Sequence, residues 1–469
     1  MPFEPHPTMI ADWCDLAQVT IDVLPDDVLL SVFDCHVDEA TDVEGWRTLV
    51  HVCRRWQNVV FGSSRRLHLR ITLTNKSHVK EKLDVWPHLP IVVSGYCDSA
   101  SCLDNIKAAL EYSDRICQIE LMVNARQIPL KSILAALEKP FPALTDLDLS
   151  QWPFLNISGH PDPLKFLGGS SHLQSLSLGG IAIPQFPALL ASSMDLNNLH
   201  LHDIPHGHLT PDAMATALSA LTSLETLSLR FASGESRAGL GKQESRHPIP
   251  RSVIPSLLCF DFEGANDYLE ALVARIDTPA LNRLGITIFR QPTFDTIQLL
   301  WLLSRIPKMQ EFGQARVKLA NPQVWADFSS SDLSAFRFGI SSSEPERHFP
   351  CLARLFGLPF NPLPTLESLY IVACPYLRQY RWDGIENAQW LELLRPFVAV
   401  KNLHLSKEVT PHIAPVLEEL AGERATEVFP TLQNVVLERQ PAGSVYGAIM
   451  QFATARRLSG HPIHISVPH

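Results

Sequence analysis

The run HLHDIPHGH places His200, His202, His206 and His208 within nine residues. His200 and His202 flank Leu201, so on a strand they share one side, a spacing that metal sites use. No Cys, Glu or further His follows on that side nearby in sequence, and histidines facing solvent account for the run equally well. GESRAGLGKQ comes near a phosphate-binding loop. Ser236 stands where GxxxxGK[ST] requires its first Gly, and Gln243 follows Lys242 in place of Ser or Thr. GxSxG, HExxH, GxGxxG and paired CxxC motifs are absent. The chain therefore reads as a non-enzyme that needs no metal and no cofactor.

What positions these residues is a repeat. Apolar residues at offsets 0, 3 and 5 recur at Ile116/Ile119/Leu121, Leu144/Leu147/Leu149, Leu173/Leu176/Leu178, Leu196/Leu199/Leu201 and Leu224/Leu227/Leu229. Weaker copies follow at Leu257/Phe260/Phe262, Leu281/Leu284/Ile286, Met309/Phe312/Gln314 and Leu333/Phe336/Phe338. Stronger ones return at Leu366/Leu369/Ile371, Val400/Leu403/Leu405 and Leu432/Val435/Leu437. Copies start roughly 23 to 34 residues apart, close to the period of leucine-rich repeats. Helical segments lie between them, among them TPDAMATALSAL with a Thr N-cap and a Pro at the first helical position. Pro142, Pro255, Pro279, Pro307, Pro364 and Pro430 each sit two residues before a first apolar member, where they end a helix and begin an extended segment. One such unit cannot cover its own apolar face, so stacked units should share a core as an open solenoid. The alternative, a doubly wound α/β sheet, gives no reason for the 0, 3, 5 spacing.

Bulk properties bound the partners. The 469 residues are 46% apolar and 19% charged, enough for a large core and for two to four domains. A net charge of -10 and the lack of a basic stripe argue against nucleic acid. Nine cysteines, irregularly spaced, suit reduced thiols and a cytoplasmic or nuclear setting. The start MPFEPHPTMI lacks a signal-peptide pattern, and no apolar run is long enough to span a bilayer, so no membrane partner is expected.

Ahead of the repeats, IDVLPDDVLLSVF and LVHVCRRWQNVV form two short amphipathic segments. Val28, Leu29, Val32 and Phe33 recur at helical spacing in the first, and Leu49, Val52, Cys53 and Trp56 in the second. Leu24 and Pro25 precede the first stripe, with Asp26 and Asp27 at the positive end of the helix. Such a unit is too small for confident stability unless it packs on something. LPDDVLLSVF followed by LVHVCRRW resembles an F-box: Leu24, Pro25, Leu29, Val32, Phe33, Leu49, Val52, Cys53 and Trp56 match its pattern. Asp27 replaces the commoner Glu, and the loop at 36–45 is longer than usual. Together with the repeats, the chain is similar to the fungal-type F-box leucine-rich proteins. The resemblance implies an α/β chain with an N-terminal three-helix F-box followed by an irregular leucine-rich-repeat solenoid, or horseshoe. Its expected divisions are a flexible tail at 1–16, the F-box at 17–62, a connector with the first irregular strands at 63–113, and the solenoid at 114–469 with a mobile loop near 232–251.

For function, the resemblance implies a substrate-recognition subunit of an SCF-type cullin-RING ubiquitin ligase. Leu24, Pro25, Val28, Leu29, Val32, Phe33, Leu49, Val52, Cys53 and Trp56 would bind the Skp-type adaptor, and the repeats would hold a substrate protein. A leucine-rich scaffold without ligase function, the opening helices serving as a cap, is the other reading. Offsets 2, 4 and 6 of each triplet must face away from the core. That assigns Glu120, Asp146, Asp148, His200, His202, Arg230, Asp261, Glu263, Arg283, Arg337, Tyr370 and His404 to the concave, substrate-binding face. Mixed charge with little aromatic content suits a protein surface or peptide more than a greasy ligand pocket.

Overall fold

Leucines at offsets 3 and 5 fall on one side of an extended chain, and strands form where they stand. The computed structural model describes residues 21–39, 45–62, 69–74, 79–85, 90–153, 172–181, 190, 195–204, 209–232, 251–289, 297–306, 309, 312–320, 323–330, 335–342, 348–357, 363–373, 385–422 and 424–467. Three helices open the chain: α1 (Asp26–Glu39), α2 (Gly45–Val50) and α3 (Arg54–Gly62). The strands follow as β1 (Leu69–Leu73), β2 (Ile91–Cys97), β3 (Ile116–Asn124), β4 (Asp146–Trp152), β5 (Ser175–Gly179), β6 (Asn198–Ile204), β7 (Thr226–Phe231), β8 (Ser252–Val253) and β9 (Cys259–Gly264). The remainder are β10 (Ile276–Asp277), β11 (Arg283–Phe289), β12 (Gln314–Leu319), β13 (Gln323–Ser329), β14 (Ala335–Ser341), β15 (Ser368–Ala373), β16 (Asn402–Leu405), β17 (Asn434–Leu437) and β18 (His464–Ser466).

Among the described residues, sixteen strands form one open sheet in the order β1 to β7, β9, β11, β14, β13, β12, then β15 to β18. Neighbours run parallel throughout, except that β13 is antiparallel to both β12 and β14. β8 and β10 make a separate parallel ribbon. The sheet begins at Leu69, so it takes in two strands of the 63–113 connector as well as the repeats from 114 onward. The tail at 1–16 and most of the expected loop, 233–250, lie outside the described residues.

A backbone pattern locks successive repeats. The N–H groups at offsets 1 and 2 both donate to the carbonyl at offset 1 of the preceding strand. Gln174 and Ser175 donate to Thr145 at 2.7 and 3.0 Å, Glu225 and Thr226 to Asn197 at 2.8 and 3.0 Å, and Lys401 and Asn402 to Glu367 at 2.8 and 3.0 Å. Each junction so satisfies the donors that leave the turn before a strand. Helices cover the other side of the core. In Pro211–Ser219, for example, the Thr210 hydroxyl accepts the Ala213 N–H at 3.2 Å, and Met214, Ala217 and Leu218 are buried. The described members of the other eleven triplets are buried, and each fully buried Leu contributes about 1.5 to 3 kcal/mol.

One triplet falls in a different register from the spacing. Met309/Phe312/Gln314 puts Gln314 inward, but Gln314 is exposed and Ala315, Val317 and Leu319 point into the core. Glu367 and Ser368 donate to the Gly313 carbonyl at 3.0 and 3.1 Å, which makes Phe312 the first member and Phe312/Ala315/Val317 the triplet. Pro307, two residues before Met309, suggested the earlier start, and a small Ala at offset 3 hid the true one. From β12 the chain turns back through β13 to β14, which lies beside β11, so a three-strand meander occupies the middle of the array. Phe328 on β13 anchors it, with ring centroids 5.9 Å from Phe312, 5.7 Å from Phe336 and 6.0 Å from Phe356.

The opening helices have a core of their own. Leu29, Leu30, Phe33, Leu49, Val59 and Val60 are buried together, with Leu24, Val50 and Trp56 partly buried against them. Val50 also packs against the large core of the sheet and its helices.

Candidate functional site

Two surfaces carry residues expected to bind partners. On α1, helical geometry splits the apolar residues between two sides. Leu29 and Phe33 turn inward, and Phe33 lies 4.7 Å from Trp56 between ring centroids. Val28 and Val32 turn outward at 40% and 46% exposure, joined by Val52 at 57%, with Pro25 and Cys53 also exposed. The residues expected at an adaptor surface thus divide: Leu29, Phe33 and Leu49 build the core, and Pro25, Val28, Val32, Val52 and Cys53 stay exposed. Val28 and Val32 do not share the inward stripe with Leu29 and Phe33; Leu30 takes that place. Leu24, expected to stand apart from the core, packs partly against it, and Trp56 is half-buried. Arg55 fastens α3 to the start of α1, its guanidinium donating to the Leu24 carbonyl at 2.5 Å and to Asp26 Oδ1 at 2.7 Å.

The second surface is the sheet face opposite the core. One residue per strand lines up across it through register: Ser94, Glu120, Asp148, Ser177, His200, Ser228, Asp261, Gly285, Arg337, Asp327, Arg316, Tyr370, His404. All twelve residues expected on the concave face lie on this face. Gly285 fits beneath Asp261, where an added Cβ would collide with that carboxylate.

The face is electrostatically crowded in its middle. Burial holds His202 near a pKa of about 4, helped by Arg230 and by His200 at 6.0 Å between ring centroids. Its Nδ1 has no hydrogen-bond partner among the described residues. Burial also lowers His200, against the pull of Asp148 and Asp261. Burial raises Glu263, although Arg230 pairs with it at 2.9 Å. Burial raises Asp148 too, opposed by its hydrogen bond from Ser177 and assisted by Glu120. Arg283 reaches Asp261 at 3.8 Å. Among the described residues, no group of three or more His, Cys, Asp or Glu side chains could hold a metal ion. His206, His208 and the Ser236–Gln243 segment lie outside those residues.

Sequence reasoning missed two parts of the face. The meander brings Arg316, Lys318, Trp325 and Asp327 onto it; the register slip at β12 hid the first two, and β13 carries none of the triplet spacing that would have announced the others. Tyr96, Met122 and Trp152 form an exposed apolar edge over β2 to β4. The alternation in IVVSGYC and ICQIELMVN was a signal for part of that edge.

Cys35, Cys53, Cys97, Cys102, Cys117, Cys259 and Cys351 are free thiols. Burial pushes Cys97 up to about 12 and Cys117 up to about 11. Among the described residues, no helix is long and apolar enough to cross a membrane.

No protein-family model matches the chain, and no curated protein matches it. Among solved structures, the leucine-rich repeat-containing protein LegL7 from Legionella pneumophila aligns with 83% of this chain and 98% of its own, at 14% identity and a TM-score of 0.31. A likeness that loose carries no inference, and the repeat architecture of this chain stands on its own strand register.

Proposed function

We propose that the chain is a non-catalytic substrate receptor of an SCF-type cullin-RING ubiquitin ligase. In this reading α1 to α3 are an F-box that docks on a Skp-type adaptor, and the open sheet face holds a substrate protein. The observation that carries it is the division of α1: Leu29 and Phe33 complete a private core, while Val28, Val32 and Val52 remain exposed with Pro25 beside them. A small unit with its own core has no need to expose three valines for stability, and Val28 and Val32, one helical turn apart, offer an apolar strip that favours association. Removing residues 1–62 should abolish co-purification with the adaptor and leave the repeats folded, because each repeat contacts mainly its neighbours. Adaptor capture by the truncated chain would overturn the reading.

One contact favours the alternative, a leucine-rich-repeat interaction scaffold without ligase function. Val50 packs against both cores, as it would if α1 to α3 capped the first repeats. Under that reading the same truncation lowers the melting temperature of the repeats and changes no adaptor binding.

A further inference from the structure

Charge on the open face is sorted along the sheet. Over β3 to β9 it carries Glu120, Asp146, Asp148, Asp261 and Glu263 against Arg230. Over β11 to β15 it carries Arg283, Arg316, Lys318 and Arg337 against Asp327. A chain of net charge -10 thus gathers cations on one half of one face.

That half is built, not merely charged. Arg316, Tyr370 and His404 are register partners on adjacent strands. The Tyr370 and His404 rings stack at 4.1 Å with planes 14° apart, and the Arg316 guanidinium sits 5.0 Å from the Tyr370 centroid. Arg316 is exposed and has no carboxylate partner among the described residues. A guanidinium laid on a ring loses little freedom on accepting a carboxylate and keeps its N–H edge available for two parallel hydrogen bonds. Beside it, Asp327 is shared by Arg337 at 2.6 Å and Lys318 at 2.7 Å, so one carboxylate serves two cations and positive charge remains in surplus. Arg337 and Arg316 lie two strands apart, about 10 Å, which is close to three residues of an extended ligand.

We propose that this cation set on β12 to β14, with the Arg316–Tyr370–His404 stack, is the docking site for an extended acidic segment, rich in Asp or Glu, of a protein partner. The proposal deepens the reading that the open face holds a protein, and it does not depend on the adaptor. The acidic half of the face repels the same ligand, which confines it to the β11–β16 end and disfavours a long polyanion such as nucleic acid.

The test is fluorescence anisotropy of the full chain with labelled peptides of about twelve residues. The probes are a Glu-rich peptide, its Gln analogue and its phosphoserine analogue, with a short duplex DNA alongside. The Glu peptide should bind and the Gln analogue should not, with affinity falling severalfold between about 50 and about 200 mM salt. Arg316→Ala with Arg337→Ala should weaken binding roughly tenfold or more, and Arg316→Gln alone, which breaks no ion pair, should weaken it severalfold. Arg354→Ala, which removes an exposed cation from the helical side, should change nothing. Melting curves of the variants keep loss of binding apart from loss of fold. Equal binding of the Glu and Gln peptides, normal binding by Arg316→Gln, or binding of the phosphoserine peptide or the duplex alone would overturn the proposal. So would self-association of the chain abolished by the same substitutions, since a second copy would then be the occupant. If the Glu peptide binds while the intact chain fails to capture the adaptor, the ligase reading falls and the cation site stands.

Discussion

Replacing Phe328 by Ala tests the most irregular part of the sheet. Phe328 is fully buried on the antiparallel strand β13, and its ring meets Phe312, Phe336 and Phe356 within 6.0 Å between centroids. Its register partners Ala315 and Phe336 face the same core, and the small Ala315 directly opposite on β12 cannot reach into the space that is left. Loss of a buried Phe costs about 3 to 5 kcal/mol, and poor collapse of the site places this change toward the upper part of that range. Gln323→Ala, on the same strand but facing away from the core, should cost within about 0.5 kcal/mol. Urea unfolding followed by circular dichroism reads both, provided the slopes agree with that of the parent chain. If Phe328→Ala costs less than about 1 kcal/mol, or Gln323→Ala costs as much, β13 does not present Phe328 to the core and the meander is misplaced.

Further outcomes are open to direct measurement. Leu149→Asp buries an unpaired carboxylate and should cost several kcal/mol, whereas Asp148→Ala on the opposite face should stay within roughly 0.5; equal melting temperatures would contradict the alternation of β4. The His202 ring, held neutral by burial, Arg230 and His200, should titrate near about 4 by NMR, and a midpoint near 6.5 would contradict its environment. Since an unfolded His protonates first on acidification, His202 should withdraw stability from pH 6.5 down to about 4. Asp148, Asp203 and Glu263, with raised pKa values, act in the opposite direction on acidification. His202→Gln should therefore flatten the acid-side loss of melting temperature.

Much of the fold can be read from the leucines, because a buried position at offset 3 or 5 tolerates little besides a large apolar side chain. Leu147/Leu149 and Leu227/Leu229 announce both their strands and their open faces. Reading fails where a strand lacks that signature. LRITL and IVVSGYC lack the spacing; irregular strands are expected in the 63–113 connector, but nothing in these two stretches says that they continue the same sheet as β1 and β2. Gln323–Ser329 alternates, yet nothing in its pattern says that it runs antiparallel between two strands separated from it in opposite directions along the chain. Strand alternation reports which side chains are buried and carries no information about neighbours. The cation set around Arg316 was lost with that register. On α1 the limit was different: Leu30 joins the apolar residues at positions 28, 29, 32 and 33 and widens their arc to about 200°, more than one face, and only the packing of Leu49, Val59 and Val60 decides that Leu29, Leu30 and Phe33 turn inward.

Adaptor binding is the proposed role of the outward valines of α1 and of Val52 before α3. Calorimetric titration of the full chain with a recombinant Skp-type adaptor tests it most directly, using Val28→Ser with Val32→Ser and Val52→Ser. The parent chain should bind, and the triple variant should lose affinity at least a hundredfold, about 2.7 kcal/mol, with an unchanged melting temperature. Absence of binding by the parent chain, or undiminished binding by the triple variant, would contradict it.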